Sequence, residues 1–271
     1  MCLVGLAIGV APQIPLLVAA NRDEYWNRPT RPLSQWQGQH QTLLSGRDER
    51  AGGTWMGFAQ HGRVAILTNV RGQGDEAPAP KSRGLLTTTW LDTQGGTTDL
   101  GLSPDVITQT FEPKAFAGCN LVVGHAPSQQ WWFLSNRCVN SGTPLAHWHV
   151  QALEPGVHVV SNASLNTPWP KAEHLRTALQ TAAQQAPDDL QALTEPLWRS
   201  LQHTPSGHQD LQGLEHDAFV WRPKASYGTR CSTLAIWTSH DQALDVQEWT
   251  YEPATRQVAL HRQEVWARWG H

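Results

Sequence analysis

The chain has 271 residues, 39 % of them apolar and 16 % charged, with 22 glycines, 18 prolines and a formal net charge of -3. That balance excludes a disordered chain, and without an excess of Lys and Arg or a run of five like charges no nucleic-acid or anionic-membrane partner is expected. The length permits one large core, and a single domain over residues 1–271 is the expectation.

The first predicted element is the apolar run at residues 2–10. No basic segment precedes it and the polar stretch Asn21-Arg22-Asp23-Glu24 follows soon after, so it reads as a buried strand and not as a signal peptide. No other run approaches the roughly 18 apolar residues of a membrane helix, and a cytoplasmic protein without a transmembrane segment is expected. Ala11-Pro12-Gln13 turns the chain into a second apolar run at 14–20, giving a hairpin. Gly52-Gly53 breaks the chain before a strand at 54–59, and His61-Gly62 turns it into another at 64–69. None of these runs alternates polar and apolar residues, so each should be buried on both faces.

Residues 71–80 read as a loop, after which Ser82 should cap a helix through Leu85, Leu86 and Trp90 to about Asp92. A shorter helix is expected from Ser103-Pro104. Strands at 120–124 and 131–134 form a third pair, and 157–160 leads into Ser161-Asn162. Thr167 as N-cap with Pro168 at the first helical position opens a helix carrying Ala172, Leu175, Leu179 and Ala182 at helical spacing. A second helix carries Leu190, Leu193, Leu197 and Leu201, and Pro196 should bend or shorten it. Strands return at 231–237, 244–251 and 257–261. This order fits an α+β fold, a four-layer αββα sandwich of two mainly antiparallel sheets. It offers no Gly-rich phosphate loop and no internal repeat.

The chemistry is expected around Cys2. Initiator methionine is usually trimmed when the next residue is small, and trimming here leaves a thiol and an α-amine on one residue. An amine titrating near about 8 can act as base for a thiol near about 8.5. Cys119, Cys138 and Cys231 form no C-x-x-C pair and read as buried structural thiols, with neither a disulfide framework nor a zinc ribbon. The fourteen tryptophans are scattered and read as core and rim packing.

Asn21-Arg22-Asp23-Glu24 places an amide, a cation and two carboxylates at the end of the strand beside Cys2. Neighbouring strand residues point to opposite faces, so Arg22 and Asp23 can both face Cys2 only if the chain turns there. Asn69 and Asn162 each close an apolar run and could donate to a developing oxyanion. Arg230 follows Gly228 just ahead of a strand.

Met1-Cys2, Asn21-Arg22-Asp23-Glu24, Gly52-Gly53-Thr54-Trp55, Leu67-Thr68-Asn69, Ser82-Arg83-Gly84, Asn120-Leu121, Ser161-Asn162-Ala163, Thr167-Pro168-Trp169-Pro170-Lys171 and Tyr227-Gly228-Thr229-Arg230 together resemble the NRDE family, also called the transport and Golgi organisation protein 2 family. The likeness runs from residue 1 to about 250. It implies the fold of the N-terminal-nucleophile (Ntn) hydrolases, whose cysteine acylases cleave bile-salt and penicillin V amides. By that resemblance Cys2 is the nucleophile and its α-amine the base, with Asp23 as partner of the amine. Arg22 and Arg230 are then the site cations and Asn69 and Asn162 the oxyanion donors, while Asn21, Glu24 and Trp55 line the substrate. In those acylases the Arg and Asp are spaced apart, whereas here they are adjacent.

The resemblance links the chain to haem trafficking and to lipid or acyl-coenzyme A metabolism and implies a small-molecule site. Its expected use is hydrolysis of an amide or acyl bond; the alternative is carriage, without catalysis, of haem or an acylated amphiphile. No cofactor is required on this reading, and haem enters only as cargo. His147 and His149 would share a strand face, and His203, His208 and His216 lie in a polar stretch. Without a C-x-x-C-H motif none of them stands out as a haem ligand, and no metal site is expected.

Overall fold

The computed structural model describes residues 2–70, 78–93, 102–185, 189–205 and 215–270. In chain order the elements are β1 (Cys2–Ala11), β2 (Ile14–Tyr25), β3 (Thr30–Gln37), β4 (Thr42–Asp48), β5 (Met56–Ala59), β6 (Arg63–Asn69), α1 (Gly84–Leu91) and α2 (Asp105–Thr108). There follow β7 (Cys119–His125), β8 (Gln130–Arg137), β9 (Pro144–Ala152), β10 (Gly156–Val160), α3 (Pro170–Ala182), α4 (Leu190–Leu201), β11 (Trp221–Arg222), β12 (Tyr227–Trp237), β13 (Leu244–Tyr251) and β14 (Val258–Trp266). They form two antiparallel sheets with few helices, the α+β class expected, and belong to two compact units. Among the described residues no helix is long and apolar enough to cross a membrane.

The first unit comprises Met1–Arg28, Pro155–Ser161 and Leu165–Arg268. Its sheet runs β10-β1-β2-β12-β13-β14, with β11 paired to β12. The β1–β2 hairpin forms as the apolar runs predict, and both strands are buried on both faces over most of their length. β2 continues past the apolar run to Tyr25, because Arg22 pairs with Cys2 on one side and Cys231 on the other. Helices α3 and α4 cover one face of this sheet. Leu175, Leu179, Leu193, Leu197 and Leu201 pack there against Leu3, Ala7, Leu17, Ala19, Leu234 and Ile236. Each buried leucine contributes roughly 1.5–3 kcal/mol, so this stripe dominates the unit's stability.

Both helices start or run differently from expectation. Residue 169 precedes a proline, which disfavours the helical region; Trp169 is accordingly extended (φ -70, ψ 144) and α3 begins at Pro170, not at Pro168. α4 is capped by Asp189, whose carboxylate accepts from the Ala192 N–H at 2.9 Å. Pro196 does not shorten it. Leu193 and Leu197 on either side of the proline, with Leu201 one turn on, are fully buried and hold the helix through that residue.

The second unit comprises Pro29–Glu154, Asn162–Ser164 and Trp269–His271, and its sheet runs in chain order from β3 to β9. Leu86, Trp90 and Leu91 of α1 pack with Leu43, Ala65, Leu67, Leu121, Val123 and Leu134. Ser82 does not cap α1 with its hydroxyl; Arg83 is the N-cap and the Ser82 carbonyl accepts from the Leu85 N–H at 3.1 Å. Strands β3 and β9 have no apolar alternation because their side chains are mostly exposed or half-buried. The tryptophans divide between core and rim: Trp90, Trp131 and Trp269 are fully buried, and in the first unit Trp198 stacks on Trp249 with ring centroids 4.1 Å apart.

Candidate functional site

Three neighbouring strands of the first unit bring the chemistry together. Cys2 on β1 lies directly opposite Arg22 on β2, and Arg22 directly opposite Cys231 on β12. Side chains of directly opposed residues share a face, so a thiol, a guanidinium and a second thiol form one row. They are 7 %, 5 % and 4 % exposed. The chain does not turn at Arg22; β2 stays extended, and alternation sends Asp23 to the opposite, helix-covered face of the sheet. There its carboxylate accepts from the Thr229 hydroxyl at 2.7 Å, while the Tyr227 hydroxyl donates to the Asp23 carbonyl at 3.1 Å. Arg22 and Asp23 therefore lie on opposite faces of the sheet.

Gly228 makes the Thr229 contact available. A Cβ at that position would stand 2.6 Å from the Val220 carbonyl oxygen, so only glycine lets that backbone lie alongside. Val220 then accepts from the Thr229 N–H at 2.8 Å and donates its own N–H to the Thr229 hydroxyl at 2.9 Å. Gly228→Ala is expected to cost about 1–3 kcal/mol, visible as a lower urea midpoint.

One residue on, the β2–β12 register shifts between Thr229 and Cys231, leaving Arg230 as the extra residue of a β-bulge. Its Nη1 donates to the carbonyls of Tyr25 and Trp26, both at 2.9 Å, and of Arg28 at 3.3 Å, pinning the chain that leaves β2. Burial, and then the nearby Arg22 charge, lower the Arg230 pKa.

Burial pushes the Cys2 thiol pKa up and the Asp23 charge adds to that; the Asp23 backbone N–H and Arg22 oppose it. The Cys2 sulfur is accordingly held as the neutral thiol. Burial also raises Asp23, against the charges of Lys171 and Arg222 and the Thr229 hydrogen bond. Cys231 is held protonated by burial and by Glu248, to which its side chain is hydrogen-bonded.

The remaining expected residues are placed as follows. Both amide hydrogens of Asn21 go to main-chain carbonyls, Leu201 at 2.7 Å and Ala218 at 2.8 Å, and its oxygen accepts from the Ser232 hydroxyl at 2.5 Å. Glu24 is half-buried and accepts from the Tyr25 N–H at 2.9 Å. Ser161 donates to the Cys2 carbonyl at 2.7 Å, fixing the start of β1. Asn69, Asn162 and Trp55 belong to the second unit. There the Asn162 amide donates to the Asn69 carbonyl at 2.8 Å, and the half-buried Trp55 accepts at its carbonyl from the Leu67 N–H at 2.8 Å.

Lys171, Asp217 and Arg222, all buried in the first unit, were not expected near the site. A lysine in the first turn of a helix, against the helix dipole, was the one signal that could have pointed to Lys171. His147 lines a surface groove of about 250 Å³ with Phe111, Glu112, Trp148 and Val150, and His149 faces the Phe133 ring. His203 stacks on His174 at 4.2 Å; His208 lies outside the described residues. Among the described residues no group of three or more His, Cys, Asp or Glu could hold a metal ion.

Cys119 and Cys231 are buried as expected, but Cys138 is half-exposed, because it starts a turn. Hydrogen bonds from the Ser141 hydroxyl and from the Ser141 and Asn140 backbone lower its pKa. A thiolate-seeking reagent at neutral pH is expected to label Cys138 well before Cys119 or Cys231, as peptide mass spectrometry would show.

Residues 1–253 match the family model described as Transport and Golgi organisation 2. The Transport and Golgi organization 2 homolog of Mus musculus is 28 % identical over 235 residues, covering 83 % of this chain and 80 % of that one. The Homo sapiens homolog is 29 % identical over 239 residues, covering 82 % and 81 %. Among solved structures, the Caenorhabditis elegans N-acylethanolamine-hydrolyzing acid amidase ortholog superposes with a TM-score of 0.55 at 13 % identity, over 98 % of this chain and 99 % of that one. That likeness establishes an Ntn-hydrolase-like fold, and the sequence match establishes the lineage: the chain belongs to the Transport and Golgi organisation 2 family.

Proposed function

We propose that this protein is a cysteine amidohydrolase that cleaves the amide of a small, acylated amine. The observation that carries this reading is the row at the end of the first hairpin, in which a buried thiol stands beside a guanidinium with a carboxylate on the next residue. A similar fold in a protein described as hydrolysing N-acylethanolamines supports the choice of an acyl amide over a peptide.

In the proposed reaction, removal of Met1 frees the Cys2 α-amine. That amine takes the thiol proton as sulfur attacks the amide carbon, and Arg22 in the same row favours the thiolate. The C–N bond of the tetrahedral adduct then breaks, and the leaving amine carries away the proton. Water, deprotonated by the same α-amine, attacks the thioester, the C–S bond breaks, and the carboxylic acid leaves with the thiol restored. Asp23 serves from the other face by orienting the amine.

The test begins with the intact mass of the purified protein. Loss of Met1, an acyl adduct mapped to Cys2, and release of a fluorogenic amine from its long-chain acyl amide are the expected results. Retained Met1 with undiminished amine release, or an adduct confined to Cys138, would overturn the reading. Binding of the acyl amide without turnover would point to a carrier.

A further inference from the structure

The sheet of the first unit ends on one side at β14, and that edge is bare. β14 pairs with β13 alone; residues 258–263 are exposed, and so is Val265 at 54 %. The outer row of N–H and C=O groups on such a strand is a template for another strand, so folded proteins shorten, bulge or charge their edges, or place proline in them. The other sheet edges among the described residues carry such devices. β10 is five residues long and its last two are buried. β3 carries Pro32 and a register shift between Arg31 and Ser34, and β9 opens on Pro144 with a shift in its pairing to β8. β14 has neither proline nor glycine. Its one register shift lies at Thr250 and Tyr251 of β13, so the ladder is regular over residues 260–266.

What such an edge fits follows from its own side chains. Two copies that pair antiparallel about a two-fold axis place one residue opposite its own copy on that axis. With Arg262 or Glu264 on the axis, like charges would face each other, which destabilises a strand pair. With Gln263 on the axis, residues 260–266 overlap in full. Arg262 then meets Glu264 of the second copy, and Leu260 meets Trp266 of the second copy, each pairing occurring twice by symmetry. Residues 260, 262, 264 and 266 lie on one face of the strand, so two opposite-charge pairs flank the axis and an apolar pair closes each end.

We propose that β14 is a dimerisation edge: two copies of this chain pair antiparallel through residues 260–266 about a two-fold axis at Gln263, and the sheet continues from one protomer into the other. The occupant is a second copy because the strand is complementary to itself in charge and in its apolar ends. The paired stretch is about 24 Å long and buries less than the roughly 1,600 Å² of a standard interface, so the dimer is weak, with a Kd of about 10–100 μM.

Sedimentation velocity of the full-length protein over about 1–300 μM should show a monomer passing to a dimer plateau. Arg262→Glu and Glu264→Arg each turn two attractive pairs into two repulsive ones and should weaken the dimer at least about tenfold. The double variant Arg262→Glu/Glu264→Arg exchanges the charges and restores complementarity, so its Kd should return to within about threefold of the wild type. Hydrogen exchange on the wild type locates the contact: amides of residues 260–266 should exchange more slowly at high concentration, and those of β3 and β9 should not change. Should a reversal unfold the protein, Leu260→Lys, which sets a charge against Trp266 of the second copy, takes its place with the same expected loss. A wild type that stays monomeric throughout would overturn the proposal, as would a dimer indifferent to these variants or a double variant no better than the single ones. Species that grow past the dimer without a plateau would do the same, because a two-fold pairing uses up this edge on both copies.

Discussion

Replacing Cys2 with alanine should give a folded protein whose amide hydrolysis has fallen by at least about a thousandfold. The two effects separate because the thiol is buried in an apolar strand, where a cysteine packs as a small hydrophobe. Loss of one sulfur should change stability by no more than about 1 kcal/mol. Cys2→Ser should recover little activity, since a hydroxyl needs a far stronger base than an α-amine. Cys231→Ala is the matched control. That thiol flanks Arg22 on the other side but is held protonated by burial and by Glu248, so hydrolysis should survive its removal. Measured turnover in Cys2→Ala at more than a tenth of the wild-type rate would remove the thiol from the mechanism.

Asn21→Ala should lower stability by about 4 kcal/mol. Alanine would leave the Leu201 and Ala218 carbonyls without their donor and the Ser232 hydroxyl without its acceptor, all in the interior. The Tyr251 hydroxyl, which donates to Ser232 at 2.9 Å, would lose its anchor as well. Asn21→Asp should be nearly as costly, because a carboxylate cannot donate to two carbonyls and its charge would be buried. Urea unfolding of the two variants checks both values. A loss below about 1 kcal/mol for Asn21→Ala would mean that water or a neighbour replaces the amide.

Of the fold, the parts with strong punctuation were legible. Pro12 and Gly62 mark turns between unbroken apolar runs, and β1, β2, β5 and β6 follow from them. Strands β3 and β9 were not legible, since they carry residues such as Arg31, Gln35, His147 and His149 on largely exposed faces and show no apolar period. The start of α3 was misplaced by two residues because Thr167-Pro168 and Trp169-Pro170 offer the same local signal, and only the extended backbone at Trp169 decides between them.

At the site, the placing of Arg22 beside Cys2 was within reach of the sequence. The side taken by Asp23 was not, because it depends on whether the strand ends at residue 22, and that is decided by the pairing with Cys231 and Thr229 some 200 residues away. Lys171, Asp217 and Arg222 were invisible for the same reason. Isolated charges read as surface until tertiary structure buries them together.

The clasp on Asn21 also sets an order of events. Its three partners, Leu201, Ala218 and Ser232, are 180, 197 and 211 residues further along the chain. At about 5–20 residues per second of synthesis, the apolar β1–β2 hairpin waits roughly 10–40 seconds on the ribosome before β12 exists to cover its edge. During that interval the most hydrophobic segment of the protein is an unpaired sheet edge, and the end that carries Cys2 has no fixed geometry. Its nascent chain should therefore be a chaperone client, with thiol reactivity at Cys2 appearing in its native form only after the last third has been made.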